Sequence, residues 1–277
     1  MSAIPTYATL CDRGFCVFEN VLPPALVAEL RAVTDALLDA VPASDQEKFR
    51  YQGSNLAVTL DQPVLARLVA WPASLQALAS LGFPSPKYWS GYIISKPPHA
   101  PPLYWHQDWP FWDDPISAQP EPAQLFLMYY LVDTRRENGC LRAIPESHRR
   151  RLPFHDQLPA AHTAATYAAD PNSLSFATHP AEVDVPVRAG DLLVGDARLL
   201  HAAHANHTAE RRTLLTLWYF PRWERFSNSL KAGITRATPP APPPADCPAR
   251  LQSLRLAQVE DASPAPFNRL PGRHLKP

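Results

Sequence analysis

Residues 103–112 read Leu-Tyr-Trp-His-Gln-Asp-Trp-Pro-Phe-Trp, which sets His106 and Asp108 two positions apart. On an extended strand, residues i and i+2 share a face. An imidazole nitrogen and a carboxylate oxygen can therefore converge on one metal ion. With a distant second histidine they form a two-His-one-carboxylate set, which leaves neighbouring coordination positions open to reactants. A His-x-Asp pair by itself arises easily by chance, so its meaning depends on the rest of the chain. Three histidines follow in one short stretch: His201, His204 and His207. His201 closes the apolar run Leu199-Leu200, where a strand would deliver it inward. His204 and His207 sit among Ala, Asn and Thr, as turn residues do. His201 is the expected third ligand.

Four blocks occur in order. They are His106–Asp108; Asn138-Gly139-Cys140-Leu141 through Pro145-Glu146-Ser147-His148; Gly190-Asp191; and His201, Asn206, Thr208 and Arg212. Lys96-Pro97-Pro98 precedes the first. In these motifs the chain resembles the phytanoyl-CoA dioxygenase family of iron(II)/2-oxoglutarate oxygenases, over roughly residues 9–221. The resemblance implies His106, Asp108 and His201 as ligands of Fe(II), with 2-oxoglutarate as cosubstrate and O2 as oxidant. It implies a dioxygenase that hydroxylates, or otherwise oxidises, a small organic molecule and releases succinate and carbon dioxide. Family halogenases lack the carboxylate ligand, and Asp108 argues against that outcome here.

The resemblance also assigns Arg212, eleven residues after His201, to the distal carboxylate of 2-oxoglutarate. A guanidinium suits this task because its planar fork binds a carboxylate bidentately and keeps its charge. Arg211 is the competing neighbour. Adjacent strand residues face opposite sides, and the apolar run from Thr213 sets no phase of its own, so Arg212 rests on the family spacing. Tyr92 and Lys96, on the strand leading to the metal motif, are further candidate contacts of the cosubstrate. Asn206 and Thr208 are expected to hold a turn. Two positions depart from the family pattern: Leu103 stands where a polar contact is usual, and Glu146 where a glycine usually precedes Ser-His.

Phe111 and Trp112 lie beyond Pro110 and either wall the substrate pocket or pack, whereas Trp105 and Trp109 face away from the metal if the strand continues. Arg149-Arg150-Arg151 either meets a phosphate, as in a CoA thioester, or is a solvated loop. A competing class is a silent or zinc-loaded member of the same fold, acting as a binding protein or hydrolase, since zinc accepts the same ligands. In that reading Arg212 has no purpose unless a carboxylate is bound.

The elements that must position these residues follow from composition and pattern. The 277 residues fit one domain with a sizeable core, and the zero formal net charge points away from nucleic acid. The four cysteines form no C-x-x-C pair, and no apolar stretch is long enough to span a membrane. A cytoplasmic protein, monomer or homodimer, with a small-molecule substrate is expected. Arg13–Glu19 reads as a short strand. A helix starts at Pro23-Pro24, carries Leu26, Leu30, Val33, Leu37 and Val41 at helical spacing, and ends at Pro42. Residues 61–71 and 73–81 read as two more helices, so 22–82 is the helical part.

From 87 to 221 the texture is that of strands: Tyr88–Ser95, the uniformly apolar Gln124–Asp133, Leu141–Ile144, Glu182–Val187, Leu192–Val194, Arg198–Ala202 and Thr213–Pro221. Residues 152–181 show no period and read as a long functional or mobile loop. Helices first and short strands afterwards indicate an α+β chain around a jelly roll. The resemblance sharpens this to a double-stranded β-helix with flanking N-terminal helices. The domain is expected over 1–236 and a Pro-rich tail over 237–277, opened by a polyproline-like tether at 237–245.

Overall fold

Among the described residues proline opens four of the α-helices, at the position where its missing N–H is not needed. In chain order the elements are α1 (Tyr7–Arg13), β1 (Phe15–Phe18), α2 (Pro24–Asp39), α3 (Ala43–Lys48), β2 (Ser54–Ala57), α4 (Pro63–Val69) and α5 (Pro72–Ser80). Then follow β3 (Lys87–Lys96), β4 (Leu103–His106), β5 (Leu125–Tyr130), β6 (Leu141–Ala143), α6 (Pro153–Gln157) and α7 (Ala164–Tyr167). The chain continues with β7 (Val183–Val185), β8 (Leu192–Asp196), β9 (His201–Ala203), β10 (Arg212–Phe220), α8 (Asn228–Ala237) and α9 (Ala249–Ser253). This computed structural model describes residues 5–48, 54–239, 248–259, 262–271 and 274–276. Most of the tether expected at 237–245 lies outside the described residues.

The strands form two antiparallel sheets, a six-stranded one ordered β1-β8-β5-β10-β3-β2 and a four-stranded one ordered β4-β9-β6-β7. This is the expected jelly roll with helices beside it. Side-chain alternation explains the layers. On β10 the odd residues Leu215, Leu217 and Tyr219 join Leu30 of α2, Leu65 and Leu68 of α4 and Leu78 of α5 in the largest core cluster. The even residues Arg212, Leu214, Thr216 and Trp218 face a cavity between the sheets. β5 is buried along its whole length, as its unbroken apolar run requires.

Several elements differ from the sequence expectation. Ser54–Ala57 pairs with β3 inside the helical part, where its short length hid it. The last turn of the Arg198–Ala202 segment is a strand only from His201. Arg198 instead turns back to pair with Asp196 in the interior (Nη2–Oδ2 2.6 Å), which an apolar neighbourhood in sequence does not reveal. The 152–181 segment contains two short α-helices and a 3-10 turn at Leu174–Phe176, and contributes Phe154 and Phe176 to small buried clusters.

A bulge interrupts β3 against β10. Trp218 pairs with Ser90 and Tyr219 with Tyr88, so Trp89 has no opposite residue. The extra residue reverses the alternation. Tyr88 consequently packs on the helical side, while Trp89 and Ser90 both face the cavity.

Candidate active site

His106 ends β4 and lies directly across from His201, the first residue of β9. Asp108 follows two residues later, where the N–H groups of Asp108 and Trp109 both donate to the carbonyl of Ala197 (2.8 and 2.9 Å). The loop is thereby pinned and the carboxylate turned toward the two imidazoles. His106 Nε2 lies 3.6 Å from Asp108 Oδ1, and His201 Nε2 3.8 Å from Asp108 Oδ2. All three ligand atoms lie within 4.8 Å of one another, a spacing that one ion about 2.0–2.2 Å from each would satisfy.

The outer nitrogens fix the protonation. Nδ1 of His106 lies 3.0 Å from the carbonyl of Tyr104, and Nδ1 of His201 3.0 Å from that of Leu199. A carbonyl only accepts, so each Nδ1 carries the proton and each Nε2 presents its lone pair to the shared space. Burial pushes the pKa of His106 well below its ordinary value, with His201 adding to the effect, so the ring is a neutral donor. Asp108 is oriented by a further residue: the indole N–H of Trp218 donates to its Oδ2 at 2.9 Å. Two imidazoles, each held from behind through Nδ1, and one carboxylate fit a divalent transition-metal ion.

Beyond the triad, the same face of β10 carries Arg212, opposite Lys96 of β3. Both side chains are buried. Lys96 Nζ donates to the carbonyl of Pro101. Arg212 lies over the ring of Tyr130 (5.6 Å), and its Nε and Nη1 have no hydrogen-bond partner. Burial and the neighbouring Arg212 push the pKa of Lys96 well down. A buried guanidinium with two unused donors, beside the amine of Lys96, forms a seat for an anion. Gly139 lets this corner close: its φ is +91°, and a Cβ there would meet Lys96 Cδ and the carbonyl of His204 at 2.9 Å. Arg211 points the other way, bonding Asp39 (2.6 Å) and Asp35 (3.4 Å) of α2.

The cavity between the sheets measures about 430 Å³ and is lined by His106, Asp108, His201, Lys96 and Arg212. Tyr92 stands at its mouth, 37% exposed and edge-on to Trp218. Phe111 and Trp112 do not line it. Both are fully packed in a second core cluster with Trp109, Phe220 and Leu230, because the loop after Pro110 turns toward α8 and away from the metal ligands. Trp105 packs against Ile144 and Phe154, away from the site as alternation predicts.

His204 faces outward and bonds Asp184 at 2.6 Å. Asn206 holds its turn by donating to the carbonyls of Lys96, Pro97 and Glu210. The arginine run is committed to local carboxylates: Arg149 and Arg150 to Glu146, and Arg151 to Asp156. Glu146 adopts φ +69°, the left-handed backbone that the family's usual glycine supplies without strain.

Among the cavity residues that sequence reasoning missed are Trp89, His162, Trp218 and Arg269. Trp218 was legible in principle, since it repeats the parity of 212, 214 and 216. Trp89 depends on a bulge, and His162 and Arg269 on long-range returns of irregular chain. None of these has a local signature.

Comparison with known proteins accords with this geometry. The model of the phytanoyl-CoA dioxygenase family matches residues 10–214. A probable alpha-ketoglutarate-dependent hypophosphite dioxygenase of Stutzerimonas stutzeri is 25% identical over 223 residues, 75% of each chain. Ectoine dioxygenase of Nocardia farcinica is 27% identical over 227 residues, 74% of each chain. Among solved structures, the epimerase SnoN in complex with Fe3+, alpha ketoglutarate and nogalamycin RO superposes with a TM-score of 0.58 at 23% identity. That alignment covers 77% of this chain and 81% of SnoN, and at such identity it speaks to the fold. The chain belongs to the phytanoyl-CoA dioxygenase family and is an iron- and 2-oxoglutarate-dependent dioxygenase.

Proposed function

We propose that His106, Asp108 and His201 hold the iron, that Arg212 reads the distal carboxylate of 2-oxoglutarate, and that a small organic molecule is oxidised in the remaining cavity. The observation that carries this reading is the pair of partnerless donors on the buried Arg212, within the same cavity as the His-Asp-His cluster. A buried guanidinium without a carboxylate is costly, and a dicarboxylate bridging Arg212 and the metal removes that cost. Once bound, iron and 2-oxoglutarate would activate O2, one oxygen atom going to the oxidised C–H bond and the other to succinate as carbon dioxide is released.

The protein's own part is positional. The Tyr104 and Leu199 carbonyls hold the two imidazoles in the binding tautomer, and Trp218 holds the carboxylate. Lys96 adds an N–H donor beside Arg212, and Tyr92 closes the outer wall of the cavity. Its sheet walls and the 152–181 segment keep bulk water from the reacting groups. Three further buried polar atoms face the cavity without a partner: Asn55 Oδ1, Trp89 Nε1 and Thr216 Oγ1. They suit polar groups of a substrate.

A hydrolytic zinc site is disfavoured by Arg212, which such chemistry leaves without a ligand. The free thiols of Cys11, Cys16 and Cys140 fit a reducing compartment and hence a cytoplasmic enzyme. No helix among the described residues is long and apolar enough to cross a membrane.

Anaerobic titration with ferrous iron and then 2-oxoglutarate tests the reading. Chelation produces a visible metal-to-ligand charge-transfer band, which is expected in the wild type and lost in His106→Ala, Asp108→Ala and His201→Ala. A band retained in His201→Ala and lost in His204→Ala would overturn the ligand set.

A further inference from the structure

Arg269 lies beyond residue 214, where the family match ends, and in none of the motifs above. The chain nevertheless returns to the site there. Asn268 forms a parallel bridge with Phe111, its N–H donating to the carbonyl of Pro110 (2.8 Å) and its carbonyl accepting from Trp112 (3.2 Å). Further on, Leu275 is buried and the carbonyl of Lys276 accepts from the N–H of Arg151 (2.7 Å). Anchored on both sides, the segment carries Arg269 onto the ligand loop. Its Nη1 donates to the backbone carbonyl of Asp108 (3.2 Å), its guanidinium lies over the ring of Phe267 (5.1 Å), and it lines the cavity. Among the described residues no acidic side chain forms an ion pair with it.

The cavity is therefore lined by two guanidiniums in different surroundings. The ionisable neighbours of Arg212 include Tyr130, Cys140 and Lys96, whereas those of Arg269 include Asp108, His106, His162, Tyr104, Tyr167 and Tyr92. The two sets share no member. Along β10, Arg212 is six residues from Trp218, roughly 20 Å of strand, and it is Trp218 that reaches Asp108. One cosubstrate carboxylate at Arg212 would use the first guanidinium and leave the second with no carboxylate nearby except Asp108, which the metal would engage.

Resting on the function proposed above, we infer that Arg269 recognises a carboxylate of the molecule that is oxidised. The substrate class is then a small carboxylic acid whose apolar body lies against Trp89, Trp218 and Phe267. A guanidinium fork is the side chain best matched to that group. Among the described residues only one of its five N–H donors is engaged, the one to Asp108, which leaves the fork available. The rings alongside supply apolar area with polar edges, and the volume of about 430 Å³ suits one small acid beside the cosubstrate.

The experiment uses the full chain, kept anaerobic with iron and 2-oxoglutarate saturating. The probes are 3-phenylpropanoate and its neutral analogue 3-phenylpropanamide, followed by tryptophan fluorescence and by perturbation of the charge-transfer band. The wild type is expected to bind the carboxylate at least about tenfold more tightly than the amide, the worth of a charge-assisted hydrogen bond. Arg269→Gln should erase that preference and leave amide binding and the affinity for 2-oxoglutarate within about twofold. Arg269→Lys should keep part of it.

No carboxylate preference in the wild type overturns the inference. So does an equal loss of both probes in Arg269→Gln, which marks a structural latch, and so does a main effect on 2-oxoglutarate, which makes Arg269 a cosubstrate residue. If the band fails to form in the wild type, the iron and 2-oxoglutarate assignment fails instead, and the two failures are told apart.

Discussion

Arg198 and Arg212 are both buried arginines, and their surroundings differ completely. Arg198 bonds Asp196 through Nε and Nη2, and its Nη1 and Nη2 reach the carbonyls of Ser117, Gln119 and Glu121. Every edge of its fork is met by protein, and it ties the 115–121 loop to the end of β8. Arg212 has a tyrosine face and two unmet nitrogens. Burial is the same in both, so burial does not separate a structural arginine from a binding one. Satisfaction of the donors does. A satisfied network stabilises the fold, while an unsatisfied one is held in place by the rest of the fold and gains its partner from a ligand.

The sharpest way to break the contrast is to remove each arginine in turn. Arg198→Ala leaves Asp196 charged and buried, and should destabilise the protein by about 3–5 kcal/mol, read as a lower urea midpoint. Its affinity for 2-oxoglutarate should stay close to the wild type in whatever fraction remains folded. Arg212→Ala should do the reverse. Its urea midpoint should hardly move, and the cosubstrate concentration at half-maximal rate should rise at least about tenfold, because a charge-assisted bond contributes roughly 1.5–3 kcal/mol. Lysine at 212 should recover part of the loss, lacking the fork, and Arg211→Ala should cost much less. A large stability loss in Arg212→Ala would dissolve the distinction, and a larger cosubstrate penalty for Arg211→Ala would contradict the facing of β10.

Asp108 extends the contrast to a carboxylate held by a single neutral donor. Trp218→Phe removes the N–H that orients Oδ2 and keeps the aromatic wall. Loss of such a supporting bond should weaken iron retention about tenfold, measured by competition with a chelator. Unchanged retention would show that the loop bonds to Ala197 suffice. The smallest effect concerns arginines paired at the surface. Glu146→Gly deletes the partner of Arg149 and Arg150 but relieves the positive φ. Exposed pairs contribute about 0–1 kcal/mol and the strained backbone costs about 1–3 kcal/mol. A net gain of about 1 kcal/mol in thermal or urea stability is expected, and a net loss would mean the surface pairs matter more than their exposure suggests.

Much of the candidate site was legible in the chain because short-range rules wrote it. The His-x-Asp spacing marked His106 and Asp108 as a pair, although β4 ends at His106 and the loop bonds to Ala197 turn Asp108 inward, and the apolar run before His201 marked it against His204 and His207. Helices at Pro24, Pro63 and Pro72 were signalled by proline and apolar period, and β5 by an unbroken apolar run. The choice between Arg212 and Arg211 drew on family spacing, since the residues after them are apolar on both faces.

The rest was decided by distance in sequence. Whether Phe111 and Trp112 wall a pocket or fill a core depends on where α8 docks, well over a hundred residues later. Trp89 enters the cavity because one residue of β3 goes unpaired against β10, a register fact invisible in β3 alone. Arg269 sits in a proline-rich, aperiodic stretch whose only distinction is the loop it meets. Local sequence determines which way a side chain points along its own element, through the geometry of strand and helix. Which elements meet, and so which side chains share a cavity, is settled only when the whole chain closes, because that choice rests on burial and hydrogen bonds formed between segments far apart.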